Sequence, residues 1–310
     1  MIRILVLVAA FAVAALPADL RLGIIGTDTS HVSVFTKALN DPAAPDHVAG
    51  ARVVAAYKGG TDFPLSSSRV DKIGEEIHSK WGVELVPDIP TLCQKVDGIL
   101  LESVDGRIHL EQAKQVIAAR KPMFIDKPLA ATLEDAREIA RLAAEAGVPW
   151  FSSSSTRFSG LGIAMKYADT TGAETWAQTT LEPLFPLDMA WYVIHPLEAL
   201  YTLMGPGCEE VTRVSGRNGE VIVGRWKDGR IGTVRSLRAG SDGAVVFRPK
   251  TIVQSDPKMK DEYTGLLQEV VKFFGTRVPP VSNEETLEIF SFMDAAQRSK
   301  AAGGQPMRLR

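Results

Sequence analysis

Lys127 is the residue whose position most directly suggests chemistry. It follows the apolar segment Met123–Ile125, and an amphipathic helix separates that segment from the apolar strand Gly98–Glu102. In open parallel sheets, ligands bind outside the carboxyl ends of the strands. A lysine that leaves such an end, with Pro128 fixing the backbone beside it, is placed where a bound ligand would meet its charge. We therefore predict that Lys127 is a site residue.

A second candidate site follows the first strand, in Gly26-Thr-Asp-Thr-Ser-His31. A full GxGxxG turn uses glycines for the tight bend and for the close approach of pyrophosphate. Only Gly26 is in register here, because Asp28 and His31 stand at the other glycine positions. A carboxylate beside pyrophosphate costs repulsion unless it turns away or caps the helix, whereas Thr29 and Ser30 suit a phosphate. A dinucleotide site and a plain strand-to-helix turn are equally consistent with this run.

The second strand ends at Tyr57-Lys58-Gly59-Gly60, without the acidic residue that would take the ribose hydroxyls of NAD. Lys58 suits a 2′-phosphate, so NADP is as consistent with the sequence as NAD. His31 and Asp28 are metal-ligand types, but no third and fourth ligand accompanies them, and we predict no metal site. No GxSxG or HExxH run occurs, which disfavours a serine or metal hydrolase.

Composition is that of a globular protein with a small-molecule ligand. The 310 residues are 45% hydrophobic and 23% charged, with a net charge of −2, and this length suffices for two domains. No basic block is present, so we predict no nucleic-acid partner. Cys93 and Cys208 lie far apart without a CxxC run, and two buried free thiols are favoured over one bridge.

The amino terminus has the features of a secretory signal. Arg3 precedes an apolar run, Ile4–Leu16, and Leu16-Pro17-Ala18 supplies the small residues of a cleavage site. The run is short for a membrane span, so we expect residues 1–18 to be removed and no stable span to be left. A buried first strand is the alternative, although Leu20–Gly26 already provides one. We expect an exported, periplasmic protein.

Downstream, apolar strands alternate with amphipathic helices, which is typical of a doubly wound parallel sheet. The predicted strands are Leu20–Ile25, Arg52–Tyr57, Gly98–Glu102 and Met123–Ile125, and the predicted helices are Ser33–Leu39, Val70–Trp81, Glu111–Ala119 and Leu133–Ala146. This α/β pattern predicts a Rossmann-type, dinucleotide-binding domain over residues 19–150.

The alternation of predicted strands and helices ends after Trp150-Phe-Ser-Ser-Ser-Ser155. Two pairs of β-rich segments are joined by Arg217-Asn-Gly219 and Lys227-Asp-Gly229 turns, which favours an antiparallel sheet. The predicted strands are Glu174–Leu181, Val211–Ser215, Val221–Trp226, Ile231–Arg238 and Ala244–Arg248, and the predicted helices are Met189–Met204, Asp261–Phe274 and Asn283–Ala301. We predict an α+β domain over residues 151–310 with an open, mainly antiparallel sheet. Its C-terminal helix is expected to pack back on the first domain, and its exposed sheet face suggests a homo-oligomer.

Together these motifs resemble the glucose-fructose oxidoreductase and inositol dehydrogenase family, Gfo/Idh/MocA, over nearly all of the chain after residue 18. The run from Asp126 to Ala130, Asp-Lys-Pro-Leu-Ala, is similar to the family's Glu-Lys-Pro signature, and Gly23-Ile-Ile-Gly26 matches its first strand and turn. Three further positions are similar to a histidine before the signature, an arginine at the entry to the second domain, and an active-site histidine with an acidic follower. These are His109, Arg157 beside Phe158, and His195 with Glu198.

The resemblance implies an NAD(P)-dependent oxidoreductase acting on a sugar, polyol or related carbohydrate between the two domains. Lys127 would polarise the substrate hydroxyl and His195 would act as acid or base, because hydride removal from a secondary alcohol needs the hydroxyl proton to leave. The expected substrate contacts are Arg157, Trp191 and Glu198. The expected cofactor contacts are Gly26, Thr27, Asp28, Ser30, His31, Lys58, Glu102, His109, Asp126 and Lys127.

Two departures from the family pattern open alternatives. Trp191 stands four residues before His195, where the family has an aspartate, and an indole cannot orient an imidazole through a carboxylate. With Asp28 in the turn, this is equally consistent with a carbohydrate-binding or regulatory protein that has lost turnover, its ligand stacked on the indole face. A redox-neutral enzyme with permanently bound NAD(H) is a further alternative. A last alternative is that His195 has no chemical role and is a core histidine whose hydrogen bonds are satisfied by the protein.

Overall fold

The computed structural model describes residues 19–259 and 262–310. The predicted signal segment, residues 1–18, lies outside the described residues. Within the described ranges, no helix has the length and apolar character needed to cross a membrane.

The first half of the described chain forms a six-stranded, all-parallel sheet in the order β3-β2-β1-β4-β5-β6. Its strands are β1 (Leu20–Ile25), β2 (Ala51–Tyr57), β3 (Glu84–Val86), β4 (Gly98–Leu101), β5 (Met123–Asp126) and β6 (Trp150–Ser153). Its helices are α1 (Ser30–Asn40), α2 (Pro64–Ser67), α3 (Val70–Trp81), α4 (Ile89–Lys95), α5 (His109–Ala118) and α6 (Leu133–Ala146). The strand order reverses between β1 and β4, which is where open α/β sheets bind ligands.

Local sequence explains where helix α6 begins and ends. The Thr132 side chain accepts a hydrogen bond from the Asp135 amide at 2.9 Å, and Gly147 ends the helix in the left-handed conformation, with φ 65°. The predicted bounds of this helix and of Val70–Trp81 are both confirmed. Strong caps and an apolar stripe thus fix these boundaries from nearby residues alone.

The second half forms a seven-stranded sheet in the order β12-β11-β7-β10-β9-β8-β13. Its strands are β7 (Gly172–Gln178), β8 (Cys208–Gly216), β9 (Gly219–Trp226), β10 (Ile231–Leu237), β11 (Gly243–Phe247), β12 (Ile252–Gln254) and β13 (Met307–Arg308). Its helices are α7 (Gly160–Ala164), α8 (Ile194–Met204), α9 (Thr264–Thr276) and α10 (Asn283–Ala301). Strands β7 and β10 pair in parallel and the other neighbours pair antiparallel. The predicted fold class is confirmed.

Helix α9 belongs to the second half of the chain but packs on the parallel sheet. Its Phe273 ring lies 5.0 Å from that of Phe151, centroid to centroid. Gly98 of β4 permits this contact, because a Cβ there would lie 2.5 Å from the ring of Phe274. A continuous buried core on the opposite face joins helices α4, α5 and α6 to the second sheet. The two halves therefore share apolar packing on both faces of the parallel sheet.

The helix predicted over Met189–Met204 is wrong at its start. Residues 188–190 form a 3-10 turn, and α8 begins only at Ile194. Asp188 is held by Arg213 and by Lys300, each at 2.7 Å, and these ion pairs fix the turn apart from the helix. His195 is consequently the second residue of α8 and lies at its amino-terminal end. The helix predicted from Asp261 begins at Thr264 in the described residues.

Candidate functional site

Charged side chains converge at the carboxyl ends of β1, β4 and β5. Strand β4 ends at Leu101 and β5 at Asp126, so the parallel register brings Glu102, Asp126 and Lys127 to one edge of the sheet. His31 enters this edge from the first turn of α1. The ligand-type atoms of His31, Glu102 and Asp126 all lie within 4.8 Å of one another. The parallel topology thus assembles a site from segments about 70 and 25 residues apart in sequence.

His31 is held between Asp126 and Tyr263. Its Nδ1 lies 2.6 Å from Asp126 Oδ2, and its Nε2 lies 2.9 Å from the Tyr263 hydroxyl. Burial acts to raise the pKa of Asp126, but the charge and hydrogen bond of His31 outweigh it and hold that pKa below its ordinary value. His31 therefore bridges Asp126 at the end of β5 and Tyr263, the residue just before α9.

Glu102 is completely buried and, among the described residues, neither of its carboxylate oxygens has a hydrogen-bond partner. Burial raises the pKa of Glu102 well above its usual value, and the charge of Asp126 raises it further against the opposing effect of Lys127. A buried carboxyl without a partner is costly. Such a group in a ligand-binding edge is a candidate for a functional role.

Lys127 and His195 come from opposite halves of the chain and both lie near the Tyr192 ring, whose centroid is 5.8 Å from that of the His195 ring. Burial lowers the pKa of His195 well below its usual value, and the charges of Lys127 and His31 lower it further. Ser154, just after β6, places its Oγ 2.7 Å from His195 Nδ1. The Lys127 ammonium lies 5.7 Å from the centroid of the Tyr192 ring. The site therefore pairs a cation with an imidazole that is neutral at pH 7.

The turn from Gly26 to His31 is fixed to neighbouring connections by hydrogen bonds of its own aspartate, Asp28. Asp28 accepts hydrogen bonds from Ser66 Oγ at 2.5 Å and from the Val104 amide at 2.9 Å, so it joins the connections that follow β2 and β4. Burial raises its pKa, against the effect of these two bonds. Gly26, with φ +87°, has no room for a side chain, because a Cβ would lie 2.4 Å from Ser103 Oγ. The carboxylate turns away from the start of α1, which is one of the two arrangements the sequence allowed, and Thr29 caps that helix.

Aromatic rings from the two halves of the chain pack against one another. Phe63, in the connection after β2, lies 5.3 Å from Trp191 and 6.1 Å from Phe185 between ring centroids. Thr61 Oγ1 donates to Asp105 Oδ2 at 2.9 Å and ties that connection to the one after β4. Trp191, predicted as a substrate contact, is therefore engaged with protein rings that bridge the two halves.

The structure places the other predicted site residues outside the convergent cluster. Arg157 and Glu198 form a buried ion pair with each other, and Arg157 also binds Glu285 at 2.6 Å. Lys58 is half exposed and pairs with Asp71. His109 is buried, with Nε2 2.7 Å from the Ser103 carbonyl, Thr27 Oγ1 donates to the Val70 carbonyl at 2.8 Å, and Ser30 is exposed. Their predicted contacts with substrate or cofactor stay predictions.

Sequence reasoning missed three residues of the site. Ser154 belongs to the serine run after β6, whose position at a strand end was a usable signal. Tyr263 and Ser66 carried none, because each meets its partner, His31 or Asp28, only through the tertiary fold. Cys93 and Cys208 are free and buried as predicted, and burial raises the pKa of Cys93 to about 11 and that of Cys208 to about 12.

Comparison with known proteins shows which proteins the chain is similar to. Residues 20–153 match the profile of the oxidoreductase family with an NAD-binding Rossmann fold, GFO_IDH_MocA. A stretch of 99 residues, 32% of this chain, is 35% identical to 1,5-anhydro-D-fructose reductase of Ensifer adhaerens and spans only 27% of that protein.

Solved structures share the whole fold. The myo-inositol dehydrogenase of Lactobacillus casei in complex with NAD(H) and myo-inositol superposes with a TM-score of 0.74 at 16% identity, over 94% of this chain and 97% of that one. An Agrobacterium radiobacter oxidoreductase in complex with NAD⁺, L-tartaric acid and magnesium gives 0.72 at 16% identity, over 94% and 99%. The predicted cofactor type is confirmed for the family, which is NAD-binding. The parallel-sheet part of the chain thus matches the Gfo/Idh/MocA oxidoreductase family, and the whole chain has the two-sheet fold of these dehydrogenases.

Proposed function

We propose that the chain is an oxidoreductase acting on a sugar or polyol in the cleft that holds Lys127 and His195. The observation that carries the proposal is the placement of a partly exposed lysine after β5 and of an imidazole with a lowered pKa on α8 near the same ring, that of Tyr192. The substrate class is supported by the relatives' names, a reductase of an anhydro sugar and a dehydrogenase seen with myo-inositol. Export through the signal at residues 1–18 is part of the same proposal.

The two residues have complementary roles. Lys127 donates a hydrogen bond to the reacting hydroxyl oxygen and stabilises negative charge on it. His195 accepts the hydroxyl proton, and its lowered pKa keeps it unprotonated and able to do so at neutral pH. Ser154 occupies Nδ1, so Nε2 is the ring nitrogen left for proton exchange. The imidazole is thus oriented by a hydroxyl instead of the family's carboxylate.

The dinucleotide is the hydride partner that the family supplies, and the turn does not fit its pyrophosphate as the side chains lie. Asp28 is completely buried where the second glycine would admit pyrophosphate. Its carboxylate would repel the phosphates, and displacing it breaks two hydrogen bonds. Binding of NAD or NADP therefore requires the connections after β2 and β4 to separate.

This closed turn favours a second candidate function. A protein that binds carbohydrate or another partner on the same frame, without turnover, needs no room for pyrophosphate. The redox-neutral alternative with tightly held NAD(H) needs the same room as the oxidoreductase. Dinucleotide binding therefore separates the binding protein from both enzymes.

The test combines binding with turnover. Wild-type protein is titrated with NAD and NADP and then assayed with a panel of inositols, aldoses and anhydro sugars. We expect K127A to lose at least about 100-fold in kcat/KM, since it removes an oxyanion-type contact. The matched control is K114A, because Lys114 is exposed on α5 and pairs only locally with Glu111.

The outcomes divide the candidates. Turnover in wild type and K114A that is lost in K127A supports the oxidoreductase. Sugar binding without dinucleotide binding, unchanged in K127A, supports the binding protein and refutes the enzyme.

A further inference from the structure

We propose that His31, Glu102 and Asp126 form a binding site for one divalent transition-metal ion. These residues come from α1, from the end of β4 and from β5, and their ligand-type atoms lie within 4.8 Å of one another. From the sequence, His31 had only Asp28 as a neighbouring ligand type. The fold supplies the missing ligands from strand ends that are distant along the chain.

The unpaired carboxylate of Glu102 is the observation that points to a ligand. Both oxygens are buried without a hydrogen-bond partner in the described part of the chain, and no ion pair within 4.0 Å involves them there. A permanent structural role would leave such a group bonded, as buried carboxylates normally are. Glu102 is instead held beside His31 and Asp126, where a cation would bind its free oxygens.

The donor set selects the class of metal. One imidazole nitrogen with two carboxylates suits Zn²⁺ or Mn²⁺, whereas Ca²⁺ and Mg²⁺ prefer all-oxygen sites. Two carboxylates also balance the charge of a divalent ion. Ligands at about 2.0–2.2 Å from a metal lie about 3–3.5 Å apart, so side-chain shifts of about 1 Å would complete the site.

His31 can exchange its contact with Asp126 for the metal. Its Nδ1 lies beside Asp126 Oδ2 and its Nε2 lies beside the Tyr263 hydroxyl. On metal binding, Nδ1 becomes the ligand, and the ring proton resides on Nε2 and is donated to the Tyr263 oxygen. Tyr263 then orients the ligating ring, a role that such outer partners commonly have in metal sites.

Lys127 opposes the cation. Its charge is close enough to influence both Glu102 and Asp126, and a second cation in the same cluster is repelled. Replacing this ammonium by an uncharged side chain should therefore tighten metal binding, whereas the same change weakens the proposed catalysis.

The experiment measures metal binding by the purified chain, without sugar or dinucleotide, so its result is independent of the oxidoreductase proposal. Protein treated with EDTA and dialysed is titrated calorimetrically with ZnCl₂ and MnCl₂, and with MgCl₂ and CaCl₂ as controls. We expect one Zn²⁺ or Mn²⁺ per chain, affinity at least about tenfold weaker in E102Q and D126N, and tighter binding in K127M. The matched control is E111Q, which removes an exposed carboxylate of α5 and should leave binding unchanged.

A second readout separates loss of the site from loss of the fold. Metal should raise the melting temperature of wild type, by mass action on the folded state, and should raise that of E102Q by less at the same metal concentration. The proposal is overturned if wild type binds neither ion, or if E102Q binds as tightly as wild type, since Glu102 then holds only a proton.

Discussion

The chain buries charged side chains in two places, which differ in whether the protein supplies hydrogen-bond partners for them. Near α10, Arg213 is 1% exposed and fully engaged, bonding Asp188 at 2.7 Å, Glu220 at 2.6 Å and Gln297 at 3.1 Å. At the edge of the parallel sheet, Glu102 is equally buried and has no hydrogen-bond partner within the described ranges. We call these two places the Arg213 network and the Glu102 cluster, the latter consisting of Glu102, His31, Asp126 and Lys127.

The difference separates structure from function. In the Arg213 network every guanidinium nitrogen is used to join β8, β9 and the 3-10 turn before α8, so the charges are compensated locally. In the Glu102 cluster, no hydrogen bond from the described residues compensates the desolvation of the Glu102 carboxyl, and only the charge of Lys127 opposes it. Buried carboxyls without a partner occur in proteins mainly where a ligand binds them or a reaction requires them.

The largest expected effect is the loss of stability on breaking the Arg213 network. R213M leaves the buried carboxylates of Asp188 and Glu220 with the partly exposed Lys300 as their remaining cation among the described residues, and we expect a loss of about 3 kcal/mol in the free energy of unfolding. Urea denaturation followed by circular dichroism measures it. A loss below about 1 kcal/mol would mean that the network is not compensated internally, and the comparison would fail.

The next effect concerns Asp28, which is buried but bonded. D28N keeps an acceptor for the Val104 amide and can still pair with Ser66, while it removes the charge that faces the pyrophosphate path. We expect at least about tenfold tighter binding of NADH, equal to about 1.4 kcal/mol. Quenching of NADH fluorescence measures the affinity, and equal binding by wild type would show that Asp28 does not control this path.

Sequence reasoning was strongest where a few neighbouring residues fix the structure. The helices Val70–Trp81 and Leu133–Ala146 were predicted with their observed bounds, because apolar stripes define both and a left-handed glycine ends each. Short elements such as β3, with three residues, and β13, with two, carry too little periodicity to be found. The start of α8 was missed because ion pairs with Arg213 and Lys300, both distant in sequence, hold Asp188 in a separate turn.

The candidate site was predictable only in part. Lys127 and Asp126 follow from the end of a parallel strand, and the structure brings His195 to the same edge. The unpaired state of Glu102 and the bond between His31 and Tyr263 depend on three-dimensional packing. No local pattern contains that information, so a metal site was not predicted from the same residues that now suggest one.

A smaller effect tests whether charges in the Glu102 cluster sense one another. Burial and the charges of Lys127 and His31 lower the pKa of His195, while Asp126 raises it. K127M removes a lowering charge, so His195 should begin to protonate at a higher pH than in wild type. Titration of the imidazole carbon-bound protons by NMR measures this shift, with K114M as control. An unchanged titration would place Lys127 too far away to act on His195.

The smallest effect is expected at exposed charges, which provide the baseline for both buried regions. Arg141 on α6 pairs with Glu138 at 2.7 Å and Glu145 at 2.6 Å, with half of its side chain exposed. Solvent screening makes such pairs weak. R141A should therefore leave the urea midpoint unchanged, and a clear loss would show that surface pairs also contribute to the stability assigned to the Arg213 network.

The most direct measurement applies one substitution to both regions. E220Q and E102Q are compared with wild type by urea unfolding at pH 7.5 in EDTA. We predict that E220Q loses about 1.5–3 kcal/mol, because it weakens bonds to a buried guanidinium. We predict that E102Q loses less than about 1 kcal/mol or gains stability, because Glu102 has no hydrogen bond to lose among residues 19–259 and 262–310. Equal losses in the two variants would show that Glu102 has a structural partner, and would contradict the assignment of its carboxylate to a ligand.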